Sequence, residues 1–228
     1  MSERVACIVP AYRAAHTLPR VLHELRATLP EARIIVIDDG SPDGTGAAAR
    51  DLADWIIRLT ENRGKGAALR AGFEEALRDD DDVVVTLDAD GQHDPVSVPS
   101  LLEALDGFDI VIGERARSGS TMPLRRRMTN AMASMAIAHV AGVHLQDTQS
   151  GFRAIRRHVV ERVRGCGDRY EFETDFLIRA LQAGYRVRNA RVPTLYGPDS
   201  HFRGMSDSAR IVRTIWAHRR TSVEARAS

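Results

Sequence analysis

The stretch "VVVTLDADGQHDP", Val83 to Pro95, sets an apolar run directly before three acids, Asp88, Asp90 and Asp94. A short β-branched run bounded by turn residues reads as a strand buried on both faces. Such strands belong to parallel sheets, and open parallel sheets bind ligands at the carboxyl ends of their strands. Asp88 and Asp90 stand at that end. Two carboxylates two residues apart point to the same side of extended backbone, and each raises the other's pKa unless a cation compensates. A hard divalent cation with oxygen ligands would do so; the other reading is an ordinary polar loop. Asp94, before Pro95, reads as a helix cap. "DDDD" at Asp79–Asp82 contains the same spacing but sits between a helix and the start of a strand, where a solvated turn is expected.

Working outward, strand and helix signals alternate. "VACIVP", "ARIIVIDDGS", "WIIRL", "DVVVTLDAD" and "FDIVIGER" read as five strands. Between the first two, Leu18, Val21, Leu22, Leu25 and Leu29 make a helical stripe. "SPDGTGAAARDLA" reads as a helix with Ser41 as N-cap and Pro42 at the first helical position. "NRGKGAALRAGFEEAL" is a glycine turn into a helix, and "DPVSVPSLLEAL" is a further helix. This alternation predicts an α/β fold: a mainly parallel sheet with helices on both faces and right-handed crossovers. Beyond Pro123 a long helix with a basic start, a loop "DTQSGFR" into a strand, a helix from "YEFET" to Gly184, one or two strands in "YRVRNARVPTLY" and a final amphipathic helix are expected. The boundaries suggest one domain over 1–220, its half to about 115 and its half from 116 serving different substrates, and a tail at 221–228.

Composition narrows the classes. The chain has 228 residues, a formal net charge of +1 and 43% hydrophobic residues, which supports a globular core and gives no pull toward nucleic acid. Two cysteines make neither a disulfide framework nor a zinc pattern, and fit a reducing cytoplasm. No signal-peptide-like segment and no run of about 18 apolar residues is present. Lys65 is the sole lysine among 32 basic Lys and Arg residues, and genomic base composition would explain the arginines.

The remaining motifs each admit two readings. Asp38 and Asp39 end the second strand, as helix caps or as hydrogen-bond acceptors for a ribose or base. "NRGKGAA" (Asn62–Ala68) is a phosphate cradle at a helix start, or a plain turn with one lysine. It lacks the spacing of a P-loop and of the dinucleotide fingerprint, whose third glycine is here Leu69. "DTQSGFR" (Asp147–Arg153) suits a second substrate, or is a polar loop. Glu171 and Glu173 face a ligand, or favour a helix dipole. No G-x-S-x-G elbow and no paired histidines at zinc spacing occur.

Taken in order, "VPAYRAAHTL", "IDDGSPDGT", "NRGKGAALRAGF", "TLDADGQHDP", "IGER", "DTQSGFR" and "YEFETDFLIRALQAGYRVRNARVPTLYG" resemble family 2 glycosyltransferases, over roughly residues 4–203. The resemblance is to the branch with dolichyl- and polyprenyl-phosphate mannosyl- and glucosyltransferases. It implies a GT-A fold and inverting transfer from a nucleotide-diphosphate sugar, aided by Mg²⁺ or Mn²⁺. It implies that Pro10, Tyr12 and Asp39 line the nucleotide site, with Lys65 near it. Asp88 and Asp90 are then the Asp-x-Asp motif, with Asp90 the more direct metal ligand and Gln92 beside the donor. Arg115, Gln149 and Arg153 are placed toward an acceptor phosphate or the leaving diphosphate, and Asp147 is the active-site acid facing the acceptor. The implied acceptor is a polyprenyl or dolichyl phosphate. A soluble glycan or small metabolite is the alternative acceptor. A sugar nucleotidyltransferase and a non-catalytic protein that kept the fold are the competing classes. Where the family usually reads P-A-Y-N-E, this chain has Arg13 and Ala14, and Asp175 stands where many relatives have Glu. The arginine-rich segments after Pro123 and from Arg203 to Arg226 would suit peripheral contact with an anionic inner membrane face, or would simply be solvated.

Overall fold

The computed structural model describes residues 3–115 and 145–192, with parts of 134–143 and 210–218. Seven strands form one sheet: β1 (Val5–Ala11), β2 (Arg33–Asp38), β3 (Trp55–Arg58), β4 (Val83–Thr86), β5 (Ile110–Arg115), β6 (Arg153–Arg156) and β7 (Val187–Val192). Their order is β3-β2-β1-β4-β6-β5-β7. Every pairing is parallel except those of β6, which runs antiparallel to both β4 and β5. The reversal matters for the site. Because β6 runs backward, its first residue lies at the same edge as the last residues of its neighbours, so the loop Asp147–Phe152 meets Asp88, which follows β4.

The helices with defined bounds are α1 (Leu18–Thr28), α2 (Thr45–Ala48), α3 (Lys65–Ala76), α4 (Val98–Glu103), α5 (Arg157–Arg162) and α6 (Glu171–Gln182). On one face of the sheet α1 buries Leu18, Val21, Leu22 and Leu25, and Val98 and Leu101 join them over Val9, Val36 and Val85. Those four α1 residues follow the i, i+3, i+4, i+7 spacing that lines one helix face. Full burial of each stabilises the fold by about 1.5–3 kcal/mol. On the other face α3 and α6 pack Leu69, Phe73, Phe172, Phe176 and Leu177 over Ile8, Ile37, Val84 and Ile112. Ile137, Ile211 and Ile215 belong to this second layer. Cys7 is buried within β1, and burial pushes its thiol up to about 12.

Two local expectations are corrected. Ser41 does not cap a helix: α2 begins only at Thr45, and the Ser41 hydroxyl accepts the amide of Arg13 instead (3.1 Å). Asp43 holds the α2 start, accepting from the Thr45 amide (3.2 Å) and hydroxyl (2.6 Å). "DDDD" is a tie as much as a solvated turn. Asp79 and Asp80 are exposed, but Asp81 is buried against Arg33 (2.6 Å) and Asp82 accepts the amide of Arg4 (2.9 Å). The helix expected from Pro123, the final amphipathic helix and the tail lie largely outside the described residues. Among the described residues, no helix is long and apolar enough to cross a membrane.

Candidate functional site

The loop after β4 separates its two acids chemically. Leu87 and Ala89 are buried in the α1-side layer, so backbone alternation turns Asp88 toward α3 and α6. There the Asp88 carboxylate meets Lys65 Nζ at 2.7 Å, and its other oxygen lies 3.7 Å from His93 Nε2. Burial alone would raise its pKa, but Lys65 and then His93 outweigh burial and hold it well below the usual carboxylate range. Asp90 shifts the opposite way. Burial, and then the charge of Asp88, raise its pKa, while the Gln92 amide donating to its Oδ1 (3.0 Å) only partly offsets them. One acid is therefore neutralised inside the protein and the other is left short of positive charge.

Lys65, the chain's sole lysine, opens α3 and bridges two halves of the fold. Its ammonium touches Asp88 after β4 and Glu173 in the first turn of α6 (3.0 Å), and lies 5.9 Å from the centre of the Tyr170 ring. Burial disfavours the cation, yet the Asp88 and Glu173 carboxylates more than offset this and raise its pKa, so it stays charged. The turn before it is fixed by Asp39. The Asp39 carboxylate accepts the amides of Arg63 and Gly64 (both 2.8 Å) and the side-chain amide of Asn62 (3.0 Å). Gly64 has φ +103°, a conformation that L side chains rarely adopt. This corrects the cradle reading of "NRGKGAA": the amides of Arg63 and Gly64 are held by Asp39, and that of Ala67 by the Asp168 carbonyl (3.1 Å). Asp39 thus acts on the site through the turn that carries Lys65.

The loop before β6 closes the other side. The buried Arg153 guanidinium donates to the carbonyls of Ser150 (2.9 Å), Glu173 (2.9 Å) and Thr148 (3.0 Å). Three carbonyl acceptors make it a clamp between the loop and α6. Asp147 is buried, and its Oδ1 accepts the amide of Gln149 (3.1 Å). Gln149 is half-buried and donates to the hydroxyls of Thr148 (3.2 Å) and Thr174 (3.4 Å). A Cβ on Gly151 would collide with Lys65 Nζ and lie 3.0–3.1 Å from both Asp88 oxygens, so those side chains would have to shift.

Asp39, Lys65, Asp88, Asp90, Gln92, Asp147, Gln149 and Arg153 thus all belong to one edge of the sheet. Pro10, the next-to-last residue of β1, pairs with Ile37 of β2. Tyr12 follows, half-buried, with the Arg13 guanidinium 5.4 Å from its ring centre. Arg115 is the last residue of β5, paired with Val192, and its side chain lies outside the description. Two contributors are not identified as site residues from sequence, His93, stacked on Phe152 with ring centres 5.3 Å apart, and Gly151; Glu173, which the sequence offers as facing a ligand, is the second partner of Lys65.

With this geometry in place, comparison with known proteins is informative. The profile of Glycosyl transferase family 2 matches residues 6–164. A polyprenol monophosphomannose synthase from Mycolicibacterium smegmatis is 36% identical over 199 residues, covering 82% of this chain and 75% of that protein. An undecaprenyl-phosphate mannosyltransferase from Micrococcus luteus is 36% identical over 197 residues, covering 81% and 80%. Among solved structures, glucosyl-3-phosphoglycerate synthase from Mycobacterium tuberculosis with Mn²⁺, uridine diphosphate and glucosyl-3-phosphoglycerate superposes with a TM-score of 0.73 at 19% identity, covering 95% of this chain and 80% of that one. The same protein with Mg²⁺ and uridine diphosphate gives 0.73 at 20% identity, covering 95% and 79%. The architecture is the GT-A fold expected from the sequence.

Proposed function

This chain belongs to glycosyltransferase family 2, and we propose that it transfers a sugar, with inversion and with a divalent cation, from a nucleotide-diphosphate donor to a polyprenyl phosphate. That it is a nucleotide-sugar glycosyltransferase follows from the family. The finer reading is carried by one observation, the unequal pair Asp88 and Asp90 at the carboxyl edge of the sheet. Lys65 neutralises Asp88, whereas Asp90 keeps a raised pKa beside that charge. A carboxylate in that condition fits a hard divalent cation. Among the described residues no three acidic, histidine or cysteine side chains converge as a ready-made metal cage. This suits Mg²⁺ or Mn²⁺ held by one or two carboxylates together with substrate oxygens and water. Asp90 would hold the ion, with Gln92 beside it and Asp88 behind. When bound, the ion would stabilise the negative charge that grows on the departing diphosphate.

The chain's own groups complete the chemistry. A phosphate acceptor is already anionic, so an oxygen of that phosphate can attack the anomeric carbon without a strong general base. Attack opposite the leaving diphosphate inverts the configuration. Lys65 fixes Asp88 and Glu173, and Arg153 fixes the loop that faces the acceptor, so that both substrates meet a rigid edge. The two relatives above, one named for making polyprenol monophosphomannose and the other for mannosyl transfer with undecaprenyl phosphate, support this acceptor class.

The test is nucleotide release from UDP-, GDP- and dTDP-sugars with Mg²⁺ or Mn²⁺, with and without polyprenyl phosphate. Release should require the lipid phosphate, and Asp90→Ala should abolish it. Full turnover in that variant or in excess EDTA would refute the cation's role. Equal release without lipid phosphate would refute the acceptor.

A further inference from the structure

We propose that Glu114 determines which sugar is transferred, by accepting hydrogen bonds from hydroxyl groups of the donor sugar; the inference rests on the nucleotide-sugar reading above. Strand register places the residue. β5 and β6 pair Ile110 with Ile155, Val111 with Ala154 and Ile112 with Arg153. The next step is also formed, since the Gly113 amide donates to the Phe152 carbonyl (2.8 Å). One step further sets Glu114 opposite Gly151. From the other side β4 pairs Thr86 with Arg153, and continuing that register sets Asp88 opposite Gly151 too. The contact that a Gly151 Cβ would make with Asp88 agrees with this.

Directly opposed residues share a face of the sheet. Ile112 belongs to the layer beneath α3 and α6, and a Cβ on Gly113 would meet Phe152 and Val192 in the opposite layer. Glu114 therefore points the same way as Ile112, toward the side of Asp88, Lys65 and Glu173. Asp88, Gly151 and Glu114 form a row across three adjacent strands. The middle position has no side chain; the Lys65 ammonium and the Asp88 carboxylate lie over it, and the backbones of the two flanking acids are about 10 Å apart.

Glu114 has only 9% of its surface exposed, and among the described residues its carboxylate has no hydrogen-bond or ion-pair partner. Asp88 and Glu173, by contrast, share Lys65. The Glu114 oxygens are not sealed from solvent, so a ligand that supplies donors can reach a carboxylate that no protein group neutralises. An acceptor phosphate would be repelled by it. Adjacent hydroxyls on a pyranose ring can donate to both oxygens of one carboxylate. A site built to bond a substrate hydroxyl discriminates strongly against analogues that lack it.

The test measures binding by calorimetry on the full chain with Mg²⁺, using UDP, GDP, UDP-glucose and GDP-mannose. Glu114→Gln and Glu114→Ala should weaken the preferred sugar nucleotide by about 10- to 100-fold, leave the free nucleoside diphosphate within about twofold, and not lower the melting temperature. The penalty should vanish for a deoxy-sugar donor lacking the contacted hydroxyl. Unchanged affinity for the sugar nucleotide in both variants would overturn the assignment. So would an equal loss for the free diphosphate, or a lowered melting point in both variants, either of which marks a structural role. A wild-type chain that binds nucleoside diphosphates but no sugar nucleotide would refute the glycosyl-transfer reading itself, and this inference with it.

Discussion

Lys65→Met removes one cation and leaves two carboxylates facing each other inside the protein. Asp88 and Glu173 lie 2.7 and 3.0 Å from Lys65 Nζ. At an effective dielectric of about 20, each contact gives a gross attraction of about 5–6 kcal/mol. Desolvation of three charges offsets most of this, and breaking a buried pair by removing one partner typically costs about 3–5 kcal/mol net. For a chain of this size that lowers the melting temperature by about 6–20 °C. The pH dependence carries a sign. Asp88 has a lowered folded pKa, so its contribution is present above the unfolded value of about 3.9 and is lost as pH falls below it. Lys65 has a raised folded pKa, so its contribution is present below about 10.4 and is lost as pH rises through the folded value. The variant should therefore be most destabilised between those limits, and its difference from the wild type should begin to shrink only as pH falls below about 3.9. Adding Glu173→Gln should restore part of the loss, read as a coupling energy in a double-mutant cycle of thermal or urea unfolding. A Lys65→Met variant within 1 kcal/mol of wild type at pH 7, about the upper value for an exposed ion pair, would refute the account of Lys65 as a buried bridge, and so would the absence of coupling to Glu173.

Three further outcomes are expected. Arg153→Lys should lose activity and about 2–4 kcal/mol of stability in urea unfolding, because an ammonium cannot reach three carbonyls held by a planar fork. Gly151→Ala should lower kcat more than stability, since the added methyl displaces Lys65 and Asp88 from the edge; kinetics and melting on one preparation separate the two effects. At pH 8 a thiol reagent should label the exposed Cys166 and leave Cys7 unmodified until the protein unfolds, as mass spectrometry of the folded chain would read.

The sequence determined the strands, because runs such as "RIIVID" and "VVVT" are apolar on both faces and only a covered sheet accommodates them. It also determined the edge at which Asp88 and Asp90 stand, since alternating strands and helices put strand ends where ligands bind. The α1 stripe and the Asp94 cap, which accepts the Val96 amide at 3.0 Å, were legible because both are local. What local pattern could not carry is pairing between distant residues. Nothing in "YEFET" says that Glu173 shares a cation with Asp88, and nothing in "DTQSGFR" says that its arginine closes on three carbonyls. The antiparallel course of β6 decides both. It brings a loop from beyond residue 146 against the end of β4, and it sets Gly151 between Asp88 and Glu114. Side-chain charge is written in the sequence, but whether a charge meets another charge or a backbone carbonyl depends on strand order and register, which exist only once the chain has folded.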